Sequence, residues 1–294
     1  IESRPAADGS IFVVADRKRD IELPGITIRS RDRVGPLETD RPFVGGLFLS
    51  STARAWLDNM APSRRRNGEI SRTLTREELE RRLDDVVRRN GTDALNTIRD
   101  DARRIAPLLG REKEFEALDR LVGAMLGTRD DRLKTDQAKA RGSGKPYDPD
   151  RLKLFDQLHA ELRATAPVMR AAPGRGIESR ATLAFFEAYF SNFIEGTEFE
   201  VSEAADIVFN NAIPGDRPED AHDVLGTWQI VSDPIEMART PRDPAMLLDL
   251  IQSRHATLMS TRTDKRPGHL KKESNRAGQT LFVAPDQVEG TLAR

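Results

Sequence analysis

The stretch IESRATLAFFEAYFSNFIEG, Ile177 to Gly196, decides how the second half of the chain folds. Leu183, Phe186, Phe190 and Phe193/Ile194 recur at i, i+3, i+7 and i+10/i+11, which predicts one helix with a core-facing stripe. Tyr189 extends the aromatic face. Phe186, Tyr189, Phe190 and Phe193 read as core rather than as a ligand cage. Ser191 and Glu195 stand one turn apart on a different face. Gly196 is the predicted stop, because glycine enters the left-handed C′ conformation without a Cβ penalty. Glu195 is the odd residue. A helix C-terminus carries partial negative charge, so a carboxylate there costs about 0.3–1 kcal/mol. That cost points to a cationic partner elsewhere. An ordinary helix end is the plainer alternative.

Outward from this helix, Gly, Ser and Pro punctuate the chain. On its N-terminal side lies the break AAPGRG, Ala171 to Gly176, and before that the helix DRLKLFDQLHAELRAT, led by Pro149. QAKARGSGKPYDPDRLK, from Gln137, reads as a linker over 137–149, separating a region 1–136 from a region 150–294. On its C-terminal side three more helices are predicted, over Ser202 to Asn210, Asp220 to Val231 and Pro244 to Met259. RPGHLKKESNRAGQTLFVAPDQV, Arg266 to Val288, then loses helical period. Ala277-Gly278 is a turn signal there, followed by an extended segment, so a β-hairpin is expected. His222-Asp223 reads as a surface or capping histidine, since no nucleophile accompanies it.

Region 1–136 starts with β signals. SIFVVAD, Ser10 to Asp16, is a β-branched run, and IELPGITIRSRD, Ile21 to Asp32, alternates around Pro24-Gly25. RPFVGGLFLSSTARAWLDNM reads as a strand, an N-cap at Ser50-Ser51, and a helix. The basic cluster Arg64, Arg65 and Arg66 reads as a solvated loop. TLTREELERRLDDVVRRNG carries the capping box Thr75-x-x-Glu78, the stripe Leu79, Leu83 and Val86/Val87, and a stop at Gly91. Two further helices end at Gly110 and Gly127. The fold class expected is α+β, mainly α: a small β-containing N-terminal region, a helical bundle, then a helical domain with a β-hairpin.

Composition limits the chemistry. The 294 residues hold 47 Lys and Arg against 48 Asp and Glu, so global charge drives the chain toward neither nucleic acid nor anionic membrane. Cysteine is absent, which removes disulfides, thiolate catalysis and Cys-based zinc sites. The four histidines lack the i, i+4 spacing of a helical metal site. No apolar run reaches the ~20 residues of a membrane span. No signal peptide is legible, so a cytoplasmic location is expected. Because the chain starts on Ile1 within a folded-looking unit, it reads as a fragment of a longer protein.

Ser191-x-x-x-Glu195-Gly196 resembles the (S/T)xxxE(G/N) inhibitory motif of the Fic (Fido) family. The longer run SNFIEGTEFEVSEA is similar to that family's S-x-x-I-E-G-T…E-A pattern. Residues 266–288 resemble its β-hairpin flap, and the order of inhibitory helix, helices and flap agrees. The resemblance covers residues 150–294, with inhibitory helix 177–196. LPGITIRSRDR and RPFVGGLFLSSTARAWLDN look similar to AbiEi-type antitoxin-like regulators, which place a winged helix before such a segment.

The resemblance implies AMP transfer from ATP to a target-protein hydroxyl, with Mg²⁺ as helper. It makes Ser191, Glu195 and Gly196 autoinhibitory, Glu195 pairing with an arginine of the catalytic loop. The flap would receive the target as an added strand. Leu281 and Phe282 would cover the adenosine, with Thr280 and Val283 beside them, Gly278 in the turn, and Asn275 and Arg276 near phosphate. The catalytic loop, H-x-F-x-(D/E)-G-N-G-R-x-x-R, does not occur in these 294 residues. No catalytic residue or metal ligand is therefore assigned, the isolated chain is expected to be inactive, and ATP and Mg²⁺ belong to the intact protein. The alternative function is a transcriptional regulator with a degenerate Fic module, binding DNA through an upstream winged helix. A homodimer with the brake acting across chains stays open beside an intramolecular brake.

Overall fold

The computed structural model describes residues 9–16, 19–63, 71–169 and 176–294. The Arg64–Arg66 cluster and most of the break at 171–176 lie outside them. The protein is mainly helical with a small N-terminal β region, and it divides into two compact units between Pro146 and Tyr147.

In the first unit, β1 (Ser10–Val14), β2 (Ile21–Leu23) and β3 (Ile26–Arg31) form a sheet of order β1-β3-β2. The β2–β3 hairpin turns at Pro24-Gly25 as its sequence predicts. β1 pairs in parallel with β3, Ser10 opposite Thr27 and Val14 opposite Arg31. Two-residue strands β4 (Arg41–Pro42) and β5 (Phe48–Leu49) pair beside it. The Ser51 hydroxyl accepts from the Arg54 N–H and opens α1 (Thr52–Met60).

α2 (Arg76–Asn90) starts on the complete Thr75/Glu78 capping box and ends at Gly91. α3 (Asp93–Leu109) and α4 (Glu112–Met125) complete a bundle with α1, around Trp56, Leu57, Leu83, Leu95, Leu118, Leu121 and Met125. Residues 137–149 are not an unstructured linker. They include most of α5 (Asp136–Gly142), held by two buried acids of α2. The Glu80 carboxylate, fully buried, accepts from the Lys134 and Thr135 N–H groups, the latter at 2.7 Å. Asp84 accepts from Arg141 Nε at 2.6 Å. These acids meet orphan donors at a helix start and a buried guanidinium, so the polar-looking segment folds.

The second unit runs from α6 (Pro149–Ala164) to α12 (Val288–Leu292). Between them lie α7 (Ile177–Ile194), α8 (Val201–Asn210), α9 (Pro218–Ser232), α10 (Pro234–Met237) and α11 (Pro244–Leu258), then a hairpin of β6 (Arg276–Ala277) and β7 (Thr280–Leu281). α9 is the central helix, packed by α7, α8 and α11. Its Gly226 lets α11 approach closely: an added Cβ would lie 2.9 Å from the Thr257 carbonyl oxygen. The core comprises Phe185, Tyr189, Phe199, Ile207, Val208 and Val224. Buried Gln287 donates to the Tyr147 carbonyl at 3.0 Å, and Thr291 accepts from the Asp148 N–H at 2.9 Å. These bonds tie the last helix to the first residues of the unit.

The expected core stripe of α7 is overturned. Leu183, Phe186, Phe190, Phe193 and Ile194 are exposed, and the buried residues are Ala184, Phe185, Ala188, Tyr189 and Asn192. The helix is apolar on both sides, so periodicity alone cannot choose its face. Ala184 and Ala188 lie on the buried face beside Tyr189 and Asn192, whose hydrogen bonds to the Phe199 carbonyl and to Thr227 hold that face inward.

Candidate functional site

The C-terminal end of α7 is where the sequence places Ser191, Glu195 and Gly196. Glu195 is the C-cap, and Gly196 follows with φ +97°. The Gly196 N–H donates to the Phe193 carbonyl at 3.1 Å and the Thr197 N–H to the Asn192 carbonyl at 3.0 Å. This pair of bonds is a Schellman motif, which satisfies carbonyls the helix end would leave open.

Asn192 anchors that end. Its buried amide donates to the Ala188 carbonyl at 2.9 Å and to Thr227 Oγ1 on α9 at 3.0 Å. Tyr189 adds a second tie, its hydroxyl donating to the Phe199 carbonyl at 3.0 Å. Ser191 and Glu195 are exposed. Neither side chain makes a hydrogen bond or ion pair among the described residues. The Glu195 carboxylate therefore sits at the negative end of the α7 dipole without a cation beside it.

The second group is the hairpin. Arg276 pairs with Leu281 and Ala277 with Thr280, leaving Gly278-Gln279 as a two-residue turn. Gly278 takes φ +56°, as the first central position of a type II′ turn requires. The Phe282 N–H donates to the Asn275 carbonyl at 3.1 Å, extending the ladder. The Asn275 side chain accepts from Lys271, whose ammonium lies 5.7 Å from the Phe282 ring centroid. Arg151 Nη2 donates to the Leu281 carbonyl at 2.6 Å, tying α6 to the hairpin. Leu281 and Phe282 are exposed, Val283 half-buried. The ladder is shorter than the extended segment Gln279–Ala284 expected from sequence. Among the described residues no hydrogen bond or ion pair joins the hairpin to Ser191 or Glu195.

Asp223 is structural. Asp223 accepts from Arg262 Nε and Nη2, at 2.9 and 2.6 Å, and Arg262 also reaches Glu219 and Asp220. Hydrogen bonding to Asp223, supported by the other acids, holds the guanidinium proton more tightly than usual. This network clamps the segment after α11 to the start of α9. Sequence reasoning missed both Arg262 and Asn192. The polar Asn192 between apolar Tyr189, Phe190 and Phe193 was the available signal, since a buried amide needs a partner.

The fit of Mg²⁺ can be tested against the donor set. Among the described residues no group of three or more His, Asp or Glu is placed to hold a metal ion, and Arg262 occupies the acids of α9. These residues do not fit a Mg²⁺ site of their own. In the Fic resemblance, metal and triphosphate are held by a loop motif that these 294 residues do not contain. No protein-family model, curated protein or solved structure matches the chain.

Proposed function

We propose that the second unit is the inhibitory-helix and flap portion of a Fic-type protein adenylyltransferase, with Glu195 as its brake. One observation carries the reading: an exposed carboxylate with no cation beside it, on a helix end fixed by a Schellman motif and by the Asn192–Thr227 bond. A brake of this kind needs a charge held in place and free to meet an arginine. In this reading that arginine belongs to the catalytic loop. The β6–β7 hairpin supports the reading as a docking edge, since its short exposed strands leave backbone groups for an added strand.

The experiment is AMP transfer by the intact protein, followed with labelled ATP. Glu195→Gly is expected to raise labelling by at least tenfold, and the 294-residue chain alone to transfer none. Equal labelling by wild type and Glu195→Gly would reject the brake.

A further inference from the structure

A cleft of about 340 Å³ lies between α11 and the segment leading to the hairpin. That volume is at the small end of ligand sites. Ile251 and Leu270 supply its apolar lining, and Lys265, Arg266, Lys271, His255 and His269 its charged and imidazole groups. No carboxylate lines it. His255 Nδ1 accepts the Gly268 N–H at 3.0 Å, which leaves Nε2 as that ring's donor. Lys265 pairs with Asp264 at 2.9 Å, both exposed. Arg266 has no hydrogen-bond or ion-pair partner for its guanidinium among the described residues. The residues around the cleft carry donors and no carboxylate, while most of the surface they turn to it is apolar and Lys265 and Lys271 also hold Asp264 and Asn275.

The backbone adds an independent observation. Arg266 holds φ +54°, a conformation that costs a side-chain-bearing residue roughly 1–2 kcal/mol. Pro267 follows, which disfavours the ordinary helical region for Arg266 as well. Glycine would occupy this corner without strain. A strained arginine with an unengaged head, at a cleft lined by other cations, is the pattern of strain kept for function. Burial, and secondly repulsion from Arg151, push Lys271 below the usual lysine range. An arriving anion would offset the repulsion from Arg151.

We infer that this cleft binds a small phosphate-bearing anion, with Arg266, Lys271 and His269 as its donors and Lys265 as a further cation. Phosphate fits better than a carboxylate because a tetrahedral dianion can accept from more donors at once. The inference goes beyond the adenylyltransferase reading and stands without it.

The test is a phosphorus NMR titration of the whole 294-residue chain with inorganic phosphate, then with glycerol phosphate. Saturable binding is expected, at least fivefold weaker in Arg266→Gly and in Lys271→Gln, and unchanged in Lys113→Gln of the first unit. Arg266→Gly relieves the backbone, so its thermal midpoint should hold or rise while binding falls. That combination separates recognition from folding. Tighter binding of glycerol phosphate would identify a phosphomonoester as the occupant, and equal binding would identify free phosphate; either supports the site. Non-saturating titration, or saturation that neither variant weakens, overturns it.

Discussion

Phe185→Ala and Phe190→Ala together test which face of α7 is buried. Phe185 is 4% exposed and its ring lies 5.6 Å from that of Phe209 and 6.1 Å from that of Tyr189. Truncating a phenylalanine so enclosed costs about 3–5 kcal/mol, as lost transfer energy plus a cavity. Phe190 is 53% exposed, keeps an edge contact with Tyr189 at 5.3 Å between centroids, and stacks on Phe186 at 5.8 Å. Half of a phenylalanine's burial plus two aromatic pairs at the low end of their range comes to about 2–3 kcal/mol. For a unit of this size each kcal/mol shifts the midpoint by roughly 2–4 °C. Phe185→Ala should then lower it by about 12 °C and Phe190→Ala by about 7 °C. The assay is thermal unfolding followed by fluorescence in a Trp56→Phe background. Trp228 is then the sole tryptophan and reports the second unit alone. A Phe190→Ala loss equal to or larger than that of Phe185→Ala would refute the assignment and restore the stripe read from periodicity.

Two further outcomes follow from groups already described. Burial raises the Asp40 carboxyl, but hydrogen bonds from the Leu37 and Ser51 N–H groups and the Arg54 guanidinium outweigh it and hold Asp40 below its ordinary 3.8. Its stabilisation is thus complete above that value and lost as pH falls through the lower folded one. Stability of the first unit, followed by Trp56 in a Trp228→Phe background, should fall more steeply in wild type than in Asp40→Asn as pH drops below 3.8; parallel slopes would dismiss the pair. Gly196→Ala adds a Cβ with no atom within 4 Å, so its cost is the left-handed backbone alone, about 1–2 kcal/mol. Amide exchange at Gly196 and Thr197 should speed up roughly tenfold, and unchanged protection would remove the Schellman cap from the argument.

Local signals carried much of the fold. The Thr75 capping box, the Ser51 cap, the glycine stops at Gly91, Gly110 and Gly196, and the turns at Gly25 and Gly278 were legible because each concerns a few consecutive residues. What stayed hidden depends on partners far along the chain. Glu80 and Asp84 carry no local mark of burial in a charged helix, and only the return of residues 134–141 makes them buried acceptors. The parallel pairing of β1 with β3 likewise has no local mark. The face of α7 was misread for the same reason. Its choice rests on Thr227 and Phe199, which lie 35 and 10 residues away from the side chains they meet. Ser191, Glu195 and Gly196 came from a short motif and occupy one helix end, whereas the cleft around Arg266 draws on α11 and a later loop.

The reversed face of α7 bears on the proposed brake. Had Phe190 and Phe193 packed inward, Asn192 would turn toward water and the helix end would lose its tie to Thr227 on α9. With Tyr189 and Asn192 inward, the last turn is bonded to α9 and to the segment at Phe199, while Glu195 stays exposed. A carboxylate that is exposed and also loosely held would spend side-chain and backbone entropy to meet an arginine, on the order of 1–2 kcal/mol per ordered residue. Fixing the helix end removes the backbone part of that cost beforehand. The proposed brake therefore depends on Asn192 as well as on Glu195. The Asn192 amide would act by positioning the helix end rather than by touching nucleotide or target.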